Sequence, residues 1–166
     1  MGTPAPLPPR FQDVPFTTYE ASAAGVSRSR TRARDLEAPF RGVRMPAGTG
    51  DLQARCAAYA LRMPPGHHFS HATAALLLGL PLPAAVRDDP RIHVTAVSGR
   101  EPRVRGVVGH LASRPTPVVD VGGLRVSAPV HTWCLLAATL GLDDLVALGD
   151  SLVRRTNPMA TVEQLR

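Results

Sequence analysis

The apolar and polar residues of the C-terminal third alternate at helical spacing and form two successive stripes. Gly141 separates the stripes, and Pro129 precedes the first of them, where its missing N–H costs nothing at a helix start. This pattern predicts a helical hairpin, with Cys134 as a core residue of its first helix. The first stripe comprises Val130, Trp133, Cys134, Ala137 and Leu140; the second comprises Leu142, Leu145, Val146, Gly149, Leu152 and Val153.

The middle of the chain alternates with a period of two, which is typical of half-buried strands. Strands are predicted over Arg91–Val97 and Val104–Leu111, and a hairpin is predicted around Gly122-Gly123, a pair suited to a primed turn. Capped apolar runs upstream predict helices over Leu52–Met63 and His71–Leu78. Together these elements indicate a mixed α/β domain with a short sheet over residues 52–166.

The N-terminal pattern is that of a helix-turn-helix. Thr17 or Thr18 can cap a helix through Ala24, Gly25 supplies a turn, and Ser27 can cap a second helix to Leu36. Alternation from Phe40 to Met45 suggests a short strand or wing. Residues 16–47 are therefore predicted to form a small winged-helix-like DNA-binding region, preceded by a proline-rich, disordered arm at 1–15. The expected fold class is α+β.

Charge and composition narrow the possible functions. All 19 basic residues are Arg, and the net charge is +6, an excess that points to an anionic partner. The absence of Lys excludes a usual Walker A loop, a Schiff-base enzyme and a nuclease that needs a Lys beside its carboxylates. No signal peptide or membrane span is recognisable, and Cys56 and Cys134 are far apart in the sequence. A cytoplasmic protein with free thiols and no membrane partner is expected.

The strongest candidate site is a run of cations after Gly25. Arginine suits both phosphate and guanine contacts because its planar fork matches either acceptor pattern. The alternative is a solvated helix face in an arginine-rich chain. The predicted DNA-binding residues are Ser27, Arg28, Arg30, Thr31, Arg32, Arg34, Arg41 and Arg44.

The other reactive side chains suggest no catalysis. His67, His68 and His71 are loosely spaced and lack a second ligand pair, so capping, packing or surface roles are expected for them instead of a metal site. The carboxylates show no acid/base pairing, and the chain contains no G-x-S-x-G nucleophile motif. The sequence thus predicts no enzyme, no cofactor and no metal.

Several segments are similar to a known family. The segments are FTTYEASAAGVSRSRTRARDLEAPFRGVR (16–44), FSHATAALLLGLPLP (69–83), IHVT (92–95) and GLRVSAPVHTWCLL (123–136). The chain resembles AbiEi-type antitoxins of type IV toxin–antitoxin systems, although His131 stands where that family often has Arg. It also resembles the N-terminal part of actinobacterial proteins that continue into a Vsr-like endonuclease domain.

The resemblance implies a DNA-binding regulator of transcription. Its winged helix would bind double-stranded operator DNA through Ser27–Arg34, with Arg41 and Arg44 on the wing. Its second domain would bind a partner, which in antitoxins is a nucleotidyltransferase-like toxin. Two alternatives stay open: the targeting module of a Vsr-like endonuclease whose catalytic domain lies outside this chain, and a protein-interaction domain that does not bind DNA.

Overall fold

A computed structural model describes residues 4–166, which contain six α-helices and two β-sheets. This confirms the expected mixture of helix and sheet. The chain divides into two compact units, Met1–Met63 and Pro64–Arg166. No helix within residues 4–166 has the length and apolar character that a membrane crossing requires.

The first unit is organised around a small antiparallel sheet in the order β1-β3-β2. Thr17 caps the helix that follows β1: its hydroxyl accepts from the Glu20 backbone N–H, and Glu20 bonds back to the Thr17 N–H. As predicted, Gly25 takes a positive φ of 77° after this helix. The elements of the unit are β1 (Phe16–Thr17), α1 (Thr18–Ala23), β2 (Leu36–Glu37), β3 (Val43–Pro46) and α2 (Leu52–Ala60).

The predicted second helix over Ser27–Leu36 is wrong. Only a 3₁₀ turn forms, at Arg30–Arg32, and the chain is extended by Ala33. The hydroxyls of this segment bond to nearby backbone and compete with helical hydrogen bonds: Ser27 Oγ accepts from the Arg30 N–H at 3.2 Å, and Thr31 Oγ1 donates to the Arg28 carbonyl at 3.0 Å. Without the second helix, the winged-helix description of the first unit is not supported.

The proline-rich arm also differs from the prediction. Leu7 and Phe11 are buried with Phe16 and Ala21 in one apolar cluster, and the Phe11 and Phe16 rings lie 4.7 Å apart. These apolar contacts hold residues 7–11 against the unit, so this segment is not a disordered arm. Residues 1–3 of the predicted arm lie outside the described part of the chain.

The boundary between the units lies later than Gly48–Gly50, the point expected from composition. Asp51 caps α2 by accepting from the Ala54 N–H at 2.7 Å. Tyr59 of this helix meets Phe40 edge-on, with ring centroids 5.1 Å apart. Helix α2 therefore belongs to the first unit and not, as expected, to a domain that starts at residue 52.

The second unit contains a mixed five-stranded sheet in the order β6-β5-β4-β8-β7. The predicted hairpin is confirmed, with Gly122 and Gly123 both at positive φ between its strands. The central strand β4 was not predicted. Strands β5 and β6 run parallel although only ten residues, 97–106, connect them. The strands are β4 (His67–Phe69), β5 (Ile92–Ala96), β6 (Val107–Leu111), β7 (Val118–Val121) and β8 (Leu124–Ser127).

Four helices complete the second unit, and the last two form the predicted hairpin. Leu136, Leu148 and Leu152 are buried in its apolar cluster. Cys134 is exposed, so its predicted core position is wrong: it lies on the opposite side of its helix from the buried residues Thr132 and Leu136. The helices are α3 (His71–Leu77), α4 (Ala84–Arg87), α5 (Pro129–Leu136) and α6 (Leu142–Leu152).

Candidate functional site

Four of the predicted DNA-binding arginines line one concave surface of the first unit. The concavity has a volume of about 530 Å³. No carboxylate is among the residues that line it, so its potential is set by the guanidinium groups. We call this surface the arginine concavity; it is lined by Thr18, Ser22, Val26, Arg28, Thr31, Arg32, Arg41, Gly42 and Arg44.

The 3₁₀ turn and strand β3 hold the two sides of the arginine concavity together. Arg44 Nε donates to the Thr31 carbonyl at 2.6 Å, and its Nη1 donates to the Val43 carbonyl at 2.8 Å. Arg44 therefore has a positioning role, and part of its donor capacity is used within the protein. Arg28, Arg32 and Arg41 are exposed and line the same concavity.

The other predicted residues do not join this surface as expected. Both Nη atoms of Arg30 donate to the Asp35 carboxylate, at 2.9 and 2.7 Å, and its side chain is only 11% exposed. Thr31 is buried and bonds the Arg28 carbonyl, so its hydroxyl is not available to a base. Arg34 and Ser27 are exposed but lie outside the lining of the concavity. Arg30 and Thr31 are thus corrected to structural roles.

A second candidate site was missed by the sequence reasoning. His71, His93 and His110 come together in the second unit, each with one ring nitrogen within 4.8 Å of the others. His93 and Thr95 lie two residues apart on β5, and His110 is the register partner of Thr95 on β6, so one sheet face carries both histidines. We call these three residues the histidine cluster. His67 and His68, which the sequence grouped with His71, are not part of it.

An open cavity of about 590 Å³ adjoins the histidine cluster. His71 and His110 form part of its wall, as do Glu101, Arg114 and His131. His131 Nε2 is buried and has no hydrogen-bond partner among residues 4–166. A small polar ligand in the cavity would therefore meet imidazole rings together with a carboxylate and a guanidinium group.

Burial keeps the histidines of the second unit neutral. It lowers the pKa of His71 to about 3 and the pKa of His93 to about 4, with neighbouring imidazoles adding to both shifts. The pKa of His110 is also lowered by burial, against the opposing effect of Glu101. A neutral imidazole has a lone pair on one ring nitrogen, and this is the form that binds metals.

Buried His68 predicts acid sensitivity of the second unit. Burial, followed by the nearby His131 and Arg125, lowers its pKa to about 4 from the usual 6.5 of histidine. Below pH 6.5 His68 binds a proton in the unfolded chain but stays neutral in the folded chain. The stability present above pH 6.5 is therefore lost as the pH falls to about 4, at about 1.4 kcal/mol per pH unit from this residue.

The fluorescence of Trp133, the chain's one tryptophan, can follow urea unfolding of this unit between pH 7.5 and 4.5. In His68→Gln, which retains a polar group near Thr116, the loss of stability should be shallower than in the wild type. Equal pH slopes for the two proteins would contradict the assignment of this shift to His68.

Comparison with known proteins does not identify the chain. No protein-family model matches it, and no curated protein matches it at a significant level.

Proposed function

We propose that the chain binds double-stranded DNA through the arginine concavity of its first unit. The observation that carries this proposal is the convergence of Arg28, Arg32 and Arg41 on one surface without a lining carboxylate. Guanidinium groups in such an arrangement match phosphate oxygens in charge and geometry. Residues 1–63 also carry nine arginines against five acidic residues, which favours a polyanion as the partner.

The proposed contact is with the phosphate backbone. A helix-turn-helix protein reads bases by placing an α-helix in the major groove, and the segment from Ser27 to Leu36 contains only a 3₁₀ turn. Contacts to phosphates position a protein on DNA but carry no sequence information of their own. We therefore expect affinity to depend strongly on salt and weakly on sequence.

The test is a titration of a fluorescent duplex of about 20 base pairs at several salt concentrations. Arg28→Ala/Arg32→Ala/Arg41→Ala should weaken binding at least about tenfold and reduce the slope of log K against log salt by about 2 to 3, as three lost phosphate contacts predict. Arg44 is left unchanged because it holds Thr31 and Val43 in place.

A charge-matched variant controls for net charge alone. Arg100, Arg154 and Arg155 are exposed residues of the second unit, and Arg100→Ala/Arg154→Ala/Arg155→Ala removes the same three charges. It should bind DNA nearly as the wild type does. An equal loss in both variants would refute a defined site, and no wild-type binding at low salt would favour a protein-interaction domain instead.

The resemblance to AbiEi-type antitoxins adds a further proposal, that this DNA binding serves transcription regulation and that the second unit binds a partner. That role requires a preference for the operator beyond what phosphate contacts of the arginine concavity supply, so it predicts tighter binding to a duplex from upstream of the protein's own gene than to a scrambled duplex, whereas the arginine concavity alone predicts nearly equal binding. Equal binding would instead suit the targeting module of a nuclease.

A further inference from the structure

We propose that His71, His93 and His110 bind one zinc ion, with a coordination position open to the adjoining cavity. The three side chains come from three separate elements: the first turn of α3, strand β5 and strand β6. This site lies wholly in the second unit and does not depend on the arginine concavity. Either proposal can therefore fail without the other.

The distances within the histidine cluster fit shared coordination. Two nitrogens bound to one zinc ion at about 2.0–2.1 Å with a tetrahedral angle lie about 3.3 Å apart. His93 Nδ1 and His110 Nε2 lie 3.0 Å apart. One nitrogen of His71 lies within 4.8 Å of a nitrogen of each of the other two rings, and because the His71 and His110 rings are stacked with centroids 3.7 Å apart, one ring must rotate for both lone pairs to meet the ion.

The backbone of His71 is held in an uncommon conformation that orients its ring. Its φ is +50°, in the left-handed region that a residue with a side chain rarely adopts. Such strain persists where surrounding structure enforces it, and it is concentrated at functional sites. His71 Nδ1 lies 3.0 Å from Ser70 Oγ, which in turn accepts from Thr95 Oγ1 at 2.7 Å. A bond from Nδ1–H to Ser70 leaves Nε2 of His71 as the metal-binding atom.

Carboxylates near two of the three rings suit a metal centre. The Asp89 carboxylate acts on His93, and the Glu101 carboxylate acts on His110, in both cases favouring positive charge at the ring. The negative charge of such a carboxylate also favours a cation bound nearby.

The donor set and the cavity together favour zinc with an open position. Imidazole is a good ligand for Zn²⁺, Cu²⁺, Ni²⁺ and Fe²⁺. Catalytic zinc sites typically have three protein ligands and a fourth position open to water. His71 and His110 border the cavity of about 590 Å³, so water or a small ligand can reach the fourth position. His131, whose Nε2 is unsatisfied among the described residues, borders the same space.

The experiment is a zinc titration of the untagged, full-length protein after chelator treatment, in competition with a chromogenic zinc chelator. We expect one zinc ion per chain with a sub-micromolar Kd. His110→Ala should weaken binding by at least about 100-fold. His67→Ala removes an imidazole from the same unit but from the opposite sheet face, because residue 67 alternates with His68, and should leave the affinity unchanged.

Two further measurements separate coordination from misfolding. Zinc at 100 times its Kd should raise the Tm of the wild type, followed by Trp133 fluorescence, by about 10 °C and that of His110→Ala by much less. Cobalt(II) should produce visible absorption bands of low-coordinate geometry in the wild type and in His67→Ala. The proposal is overturned if the wild type shows no saturable zinc binding below about 100 µM, or if folded His110→Ala or His110→Gln binds zinc as tightly as the wild type.

Discussion

Gly109→Ala is expected to destabilise the second unit by about 3 kcal/mol. A Cβ added at Gly109 would lie 2.1 Å from the Pro102 carbonyl oxygen and 2.9 Å from its nitrogen. Both are backbone atoms, so no side-chain rotation can relieve the clash. Either β6 must leave its register beside β5, or the 97–106 connection must lift away from the strand.

The topology explains why this position needs glycine. Parallel strands are usually joined by a dozen or more residues that include a helix. Here only residues 97–106 connect β5 to β6, so the connection returns close to the strand and Pro102 packs on Gly109. The same loop carries Glu101 to the wall of the cavity beside His110. The substitution should therefore disturb the cavity as well as the sheet.

Urea unfolding followed by Trp133 fluorescence measures the loss, and proteolysis within 97–106 reports release of the loop. Gly141→Ala is the matched control, because a Cβ there meets no atom within 4 Å and its φ is −65°. The control should change stability by less than about 1 kcal/mol, the scale of an N-cap change. If Gly109→Ala has the same free energy of unfolding and the same resistance to protease as the wild type, the close approach of Pro102 to Gly109 is contradicted.

Local chemistry explains the parts of the fold that the sequence predicted well. The turn at Gly122-Gly123 needs two residues with positive φ, and few other pairs adopt that conformation without cost. Helices α5 and α6 show their period over two or more turns, and Pro129 starts the first of them. In each case the determining interactions lie within about ten residues along the chain.

The prediction of a second helix in the first unit was wrong because the segment has no periodic apolar face. Between Ser27 and Asp35 only Thr31 is buried, so no apolar face holds a helix against the unit. Hydroxyl-to-backbone bonds and the Arg30–Asp35 ion pair then favour a turn. Arg30 and Asp35 are five residues apart and would not face each other well on a helix, a signal that was present in the sequence.

The histidine cluster could not be found from spacing along the chain. His71, His93 and His110 are brought together by the parallel pairing of β5 with β6, and a hairpin between the same strands would place the two strand histidines differently. One signal was available: His93 alternates with the apolar residues Ile92 and Val94, which predicts that its ring lies on the other face of that strand, and the burial of both neighbours agrees. Which residues pack against that face depends on the tertiary fold and not on the local sequence.

A second large loss of stability is expected when the apolar core of the second unit is truncated. Leu148 on α6 is fully buried in the apolar cluster that includes Leu136 and Leu152. Leu148→Ala removes buried carbon atoms and leaves a cavity that close-packed helices fill only in part. The free energy of unfolding of the second unit should fall by about 3 to 4 kcal/mol.

Leu142→Ala is the control on the same helix, because Leu142 is 76% exposed. The identical substitution there should change stability by less than about 0.5 kcal/mol. The contrast also tests the apolar stripe expected from the sequence, which included Leu142 and Val146 but omitted Leu148. Trp133 reports the result directly, because its Nε1 donates to the Leu145 carbonyl on α6 at 2.9 Å. Similar losses of stability at the two positions would contradict the assignment of Leu148 to the buried face of α6 and of Leu142 to its exposed face.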